Sequence, residues 1–257
     1  MVFDWLKSRR RRRVLAEPFP LEWDTILRRR VRQFQYLPPQ QQQRVRDIVQ
    51  VMAAEKEWAP AAGFAVTDEM RVTIAGVAGM MASALDEPYF YDRLSTFVIH
   101  PHVIRFSPER AAVNPNLPDS SFLDGVAWQG GPVLVSWAAV RDERRGPSQG
   151  RNVVVHELAH PLDAFKGAWD AVPPLPAEAA SRWDEVMDQE LAWLEEDVRR
   201  GVDTLLDEGG AESPAELFAV ASECFFELPH DMHREHPELY RELTQFYRQS
   251  PIQWMPR

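Results

Sequence analysis

The stretch Val153-Val154-Val155-His156-Glu157-Leu158-Ala159-His160-Pro161-Leu162-Asp163 decides how this chain is read. Residues four apart on an α-helix lie one turn above each other, so His156 and His160 aim two imidazoles at one point. Glu157 is rotated by about 100° from His156; it misses that point but reaches a water held there. Two histidines at this spacing around a glutamate form the sequence pattern of a catalytic zinc site, in which zinc takes nitrogen and oxygen donors tetrahedrally and keeps one position for water. Zinc brings the pKa of such a water to roughly 7. Glu157 is then the base that takes its proton and passes it to a leaving amine. One Zn2+ per chain is expected. Ser148 is the expected N-cap of this helix and Gly167 its C-terminal stop.

Two imidazoles leave a third ligand to be found. Glu216 lies sixty positions after His156, within Ser213-Pro214-Ala215-Glu216. That tetrad is also a capping box, in which the glutamate folds back onto the N-cap amide, with proline at the first helical position. Glu223 follows on the same face two turns later, and Glu227 continues the stripe. Leu217, Phe218, Val220, Phe225 and Phe226 make the helix largely apolar. Acidic groups on a mostly buried helix have partners. Glu216 is therefore the expected third ligand, and Glu223 the acceptor for a histidine N–H. The alternative for Glu216, a plain capping role, stays open at this point. His230, His233 and His236, among Pro229, Asp231 and Pro237, read as a polar loop or short helical turn. His100 and His102 read as strand-end residues.

Residues 155–163, with Pro214-Ala215-Glu216-Leu217-Phe218-Ala219-Val220-Ala221-Ser222-Glu223 and Gly130-Gly131-Pro132-Val133-Leu134-Val135-Ser136-Trp137, resemble the MtfA (Mlc titration factor A) family. These are bacterial zinc metallopeptidases of gluzincin type, with a site similar to that of anthrax lethal factor. The resemblance spans roughly residues 18–250 and is strongest over 125–228. It implies zinc held by His156, His160 and Glu216, Glu157 as base, Asp163 as a residue supporting the metal site, and aminopeptidase-like activity. It also implies a transcriptional regulator as partner, a property of particular lineages. The family carries a tyrosine seven residues before the zinc glutamate, where this chain has Gly209. Losing one oxyanion donor costs on the order of 10²- to 10³-fold in rate unless another group replaces it. His230, His233, Tyr240 and Tyr247 are the candidates. A second departure is Pro161, which lacks the N–H that bonds the Glu157 carbonyl and biases His160 away from helical geometry.

Composition frames these motifs. At 257 residues, 45% hydrophobic and 26% charged, the chain is of ordinary globular make-up and long enough for a sizeable core. Its single cysteine, Cys224, falls in the apolar 217–228 run; it is expected in the core, in a reducing, cytoplasmic compartment. No stretch approaches the roughly 18 to 20 apolar residues of a membrane span, and no secretory signal is read in the N-terminus. Residues 1–33 carry a net charge of +6 and the remainder −16. The acidic body argues against nucleic acid as a partner. Val2, Phe3, Trp5 and Leu6 before Arg9 to Arg13 fit weak contact with an anionic membrane surface, although a flexible solvated tail is the plainer reading.

Apolar periodicity places helices over 21–34, 39–56 and 68–85, a long amphipathic helix through Trp183, Val186, Met187, Leu191, Leu194 and Val198, the Glu216 helix, and a closing helix over 237–249. Strands are expected at 97–99, at 103–106 and within 126–137, the last as a hairpin or paired strands around Gly130-Gly131. Pro173, Pro174 and Pro176 mark a loop bordering the cleft. The expected fold is α+β: a helix-dominated, zincin-like metallopeptidase domain with a small β-sheet and a helical N-terminal subdomain. Three regions follow: a basic flexible tail (1–17), the helical subdomain (18–95) and the catalytic region (96–257). Val133, Leu134, Val135 and Ser136 form the edge strand expected to pair with an extended peptide or protein substrate. The competing class is a zinc-containing, regulator-binding protein with weak or no peptidase activity. Retention of Glu157 favours the enzyme.

Overall fold

The computed structural model describes residues 2–61, 63–85, 91–102, 132–142, 150–163 and 177–257. Helices dominate. In chain order they are α1 (Val2–Ala16), α2 (Leu21–Arg30), α3 (Pro39–Glu55), α4 (Asp68–Ala82), α5 (Trp137–Asp142), α6 (Val153–Asp163), α7 (Ala177–Arg200), α8 (Pro214–Glu227), α9 (Pro229–Glu235) and α10 (Pro237–Tyr247). Among the described residues, three short strands, β1 (Glu57–Pro60), β2 (Thr96–His100) and β3 (Val133–Ser136), form one parallel sheet in the order β1-β2-β3. The expected helix-dominated α+β fold is the one observed.

α4 is the hub of the N-terminal half. From Val72 to Ala82 every residue is buried, and Thr67 caps the helix by accepting from the Met70 N–H at 3.4 Å. α3 meets it along Val45, Ile48, Val49 and Met52, the stripe that periodicity picked out. Gly79 permits the close approach. A Cβ there would lie 3.1 Å from the Val45 Cα and 3.2 Å from its carbonyl oxygen.

The sheet turns Phe97, Ile99, Val133 and Val135 into the core, all fully buried. β1 escapes sequence reading because Glu57-Trp58-Ala59-Pro60 is four residues long, lacks a clean alternation and ends in proline. Its register pairs Trp58 with Phe97, whose rings stack at 4.6 Å. β1 and β2 lie on opposite sides of the boundary drawn at 95/96, so this sheet spans it. On the far side of the site, Trp183, Phe218, Phe225, Phe226, Phe246 and Tyr247 pack α7, α8 and α10 together.

Residues 2–16, expected as a flexible tail, are helical in the structure. α1 lies along α3: Arg11 bonds Glu55 at 2.7 Å and also Asp92, and Arg10 donates to the Ala54 carbonyl at 2.8 Å. Pairing of these arginines with specific acceptors is a tertiary fact that the five-arginine run conceals. No described helix is long and apolar enough to cross a membrane. The expected strand at 103–106, the segment 126–131, the Pro173–Pro176 loop, Ser148 and Gly167 lie outside the described residues.

Candidate metal centre

α6 and α8 pack against each other, and α6 also touches β3 and α4. Val154, Val155, Leu158, Ala159 and Leu162 form the buried side of α6, which fixes the rotation of the helix and turns His156 and His160 toward α8. The helix begins at Val153, so its cap is Asn152 and not Ser148: the Asn152 Oδ1 accepts from the Val154 and Val155 N–H groups at 3.2 Å each. α6 runs on through Pro161 to Asp163, so the proline does not end the helix at His160. The two imidazoles stand 5.1 Å apart between centroids, at 80° to each other.

Glu216 reaches both rings. Its Oε2 is 3.1 Å from His156 Nε2 and its Oε1 is 3.6 Å from His160 Nε2. Ser213 does cap α8, accepting from the Glu216 N–H at 3.2 Å, but the Glu216 carboxylate is directed across to α6. One ligand atom from each of His156, His160 and Glu216 lies within 4.8 Å of the others. Glu223, two turns along the same face of α8, is buried and bonds His156 Nδ1 through Oε1 at 2.7 Å. With Nδ1 occupied in this way, Nε2 is the nitrogen offered to the centre. Two imidazole nitrogens and a carboxylate oxygen in this arrangement fit a divalent metal of zinc type.

Electrostatics distinguishes the four groups. Burial works against a charged His156, but hydrogen bonds to Glu216 and Glu223 outweigh it and raise its pKa to about 10. Burial raises Glu157 to about 7; His156 opposes this shift, while Glu216 and Glu223 add to it. His160 is lowered, by burial and then by the neighbouring His156 charge. Burial alone would raise Glu216, but the bond from His156 and the charges of both histidines hold it below the usual carboxylate range. These shifts favour a charged His156 facing the Glu216 carboxylate and disfavour charge on His160.

The other sequence candidates fall as follows. β3 carries Val133 to Ser136 at an edge of the sheet among the described residues, paired with β2 through Phe97–Val133 and Ile99–Val135. Ser136 Oγ donates to the His102 carbonyl at 2.9 Å and accepts from the Ala139 N–H at 3.2 Å. Asp163 ends α6, and its side chain lies outside the described residues. Gly209 sits in a 3₁₀ turn, Glu208–Ala211, with its N–H on Asp207 Oδ1 at 3.0 Å. Of the groups considered for the tyrosine's task, Tyr240 bonds Ser250 and Tyr247 donates to Ser222, both buried in the aromatic core. His230 bonds the Met255 carbonyl, and His233 packs edge-on against Tyr240. His236 bonds Glu190 at 2.7 Å, so the three histidines of 230–236 point to three different partners. Asn152 is the residue that sequence reading missed. Its Asn-x-x-x-His spacing was the available signal, an N-cap one turn before His156.

The sequence profile of the glucose-regulated metallo-peptidase M90 family matches residues 5–248. An uncharacterised protein of Synechocystis sp. is 30% identical over 256 residues, covering 97% of this chain and 90% of its own length. The Mlc titration factor A of Yersinia enterocolitica is 27% identical over 86% of this chain and 83% of its own length. That of Escherichia coli is 32% identical over 52% and 51%. The chain therefore belongs to the glucose-regulated metallo-peptidase M90 family, with Mlc titration factors A among its relatives.

Proposed function

We propose that this protein is a zinc-dependent metallopeptidase in which His156, His160 and Glu216 hold the metal and Glu157 is the base. The observation that carries this reading is the convergence of those three donors within 4.8 Å, with Glu157 on the adjoining position of the same helix. When bound, zinc polarises the scissile carbonyl and lowers the pKa of a water. Glu157, whose pKa burial raises in the metal-free chain, would take a proton from that water and return it to the leaving amine. Glu223 fixes the tautomer of His156 by accepting from Nδ1. β3, an edge strand among the described residues, receives the substrate as an added extended segment, tolerant of side-chain identity. An aminopeptidase-type preference rests on the family resemblance.

The relatives' names favour a second reading. Proteins called Mlc titration factor A are linked by name to the regulator Mlc, and a regulator-binding role for this chain is the alternative. Zinc-loaded protein incubated with a peptide library and read by mass spectrometry separates the two. Cleavage is expected, and Glu157→Gln should reduce it by about 10²-fold or more while leaving zinc in place. A wild-type protein holding one zinc per chain and cleaving no library member would sink the peptidase reading in favour of the regulator-binding one.

A further inference from the structure

Asn152 makes four kinds of bond at once, just ahead of the helix that carries His156. Its side-chain oxygen caps α6, its carbonyl accepts from the His156 N–H at 3.0 Å, and its own N–H donates to Glu223 Oε2. Its Nδ2 donates to Glu227 Oε1 at 2.7 Å. That same Glu227 oxygen accepts from Gln33 Nε2 at 2.8 Å, and Glu227 Oε2 faces Arg32 at 3.4 Å. Gln33 is 2% exposed, Glu223 6% and Glu227 8%. A buried line of hydrogen bonds thus runs from Gln33 through Glu227, Asn152 and Glu223 to His156 Nδ1.

Capping alone does not demand asparagine, because Asp, Ser and Thr cap as well. The Glu227 bond does. It needs a donor atom separate from the oxygen that closes the helix; a carboxamide has both, whereas a hydroxyl has one atom for the two tasks and a carboxylate has no donor. Glu227 in turn is a buried carboxylate on the Glu216–Glu223 stripe whose partners are amides and a guanidinium rather than the imidazoles, and burying it is costly unless it is bonded. We propose that Asn152 and Glu227 are a positioning pair: they set where Glu223 meets His156, and through it the aim of His156 Nε2 at the metal. The inference rests on the reading of His156 as a metal ligand.

Exchanging donor and acceptor tests it. Asn152→Asp keeps the cap but turns a carboxylate against Glu227. N152D combined with E227Q restores the pair with reversed polarity, because the carboxamide now on α8 can donate to the carboxylate now at the cap and still accept from Gln33. Affinities for zinc and cobalt(II), the visible cobalt spectrum and thermal melts are measured on the full chain. N152D should weaken metal binding by about tenfold or more and shift the cobalt bands, and the double variant should recover to within about threefold. A purely structural role would lower melting temperatures and leave the cobalt spectrum of the folded fraction unchanged. If N152D does not fold, Asn152→Ser, which keeps the cap but whose short hydroxyl loses the reach of Nδ2 to Glu227, carries the same expectation. Wild-type affinity and spectrum in N152D, or a folded double variant no better than N152D, overturns the proposal. A wild-type protein that takes up neither metal removes the metal-centre reading itself, and this inference with it.

Discussion

His156 carries a proton at neutral pH in the metal-free protein, because its pKa stands near 10 between Glu216 and Glu223. That proton lies between Nε2 and the Glu216 carboxylate, where the proposed metal would sit. Metal uptake must therefore displace it, and affinity falls as pH falls. The sign is fixed by the direction of the shift: below about 10 the proton competes, and above it competition ends. Zinc uptake at pH 7 in weakly buffered solution is expected to release close to one proton per ion; no release would show that His156 is already neutral. His156, Glu157 and His160 could be read from sequence because one helical turn relates them whatever the fold. Glu216 and Glu223 were readable as an acidic stripe on an apolar helix, although sequence alone left capping open for Glu216. The bond between Asn152 and Glu227 was not, because it joins residues 75 apart and exists only once α6 and α8 are packed.

Packing of elements puts those turns in register. α4 presses on α3 at Gly79, where the neighbour is Val45 backbone and cannot rotate away. Gly79→Val is expected to destabilise the fold by about 2 kcal/mol or more, since overpacking against main chain costs more than the gain in helix propensity; denaturant titration measures it. The long helices were legible because their apolar residues repeat at helical spacing over several turns, as Val45, Ile48, Val49 and Met52 do. β1 and α5 were not. Each is four to six residues long and is held by partners distant in sequence. α1 was missed for a different reason: its sequence is dominated by arginines, and what holds it is the pairing of Arg11 with Glu55 and Asp92.

Across the whole molecule, charge gathers where separate segments meet. Lys56 lies at the junction of α1, α3 and the segment before β2, donating to the Tyr91 carbonyl at 2.7 Å. Burial lowers its pKa to about 8, against the pull of Asp92 and Glu55. Its ordinary value is near 10.5, so between pH 8 and 10.5 the unfolded chain binds the extra proton, and this group adds stability as pH rises through that window. Below pH 8 both states are protonated and the slope vanishes. Lys56→Met should remove the rise; denaturant midpoints at about pH 7.5 and 9.5 for both proteins check it, and equal slopes would contradict it. The same assembly of distant segments brings α6 and α8 together, and the central claim is that this contact makes a metal centre. Competition with a chromophoric chelator tests that claim most directly on wild type and Glu216→Ala. The expected result is one zinc per wild-type chain and an affinity loss of about 10²-fold or more in the variant. Unchanged zinc affinity in Glu216→Ala would contradict the three-ligand centre and turn attention to Asp163 and Glu223.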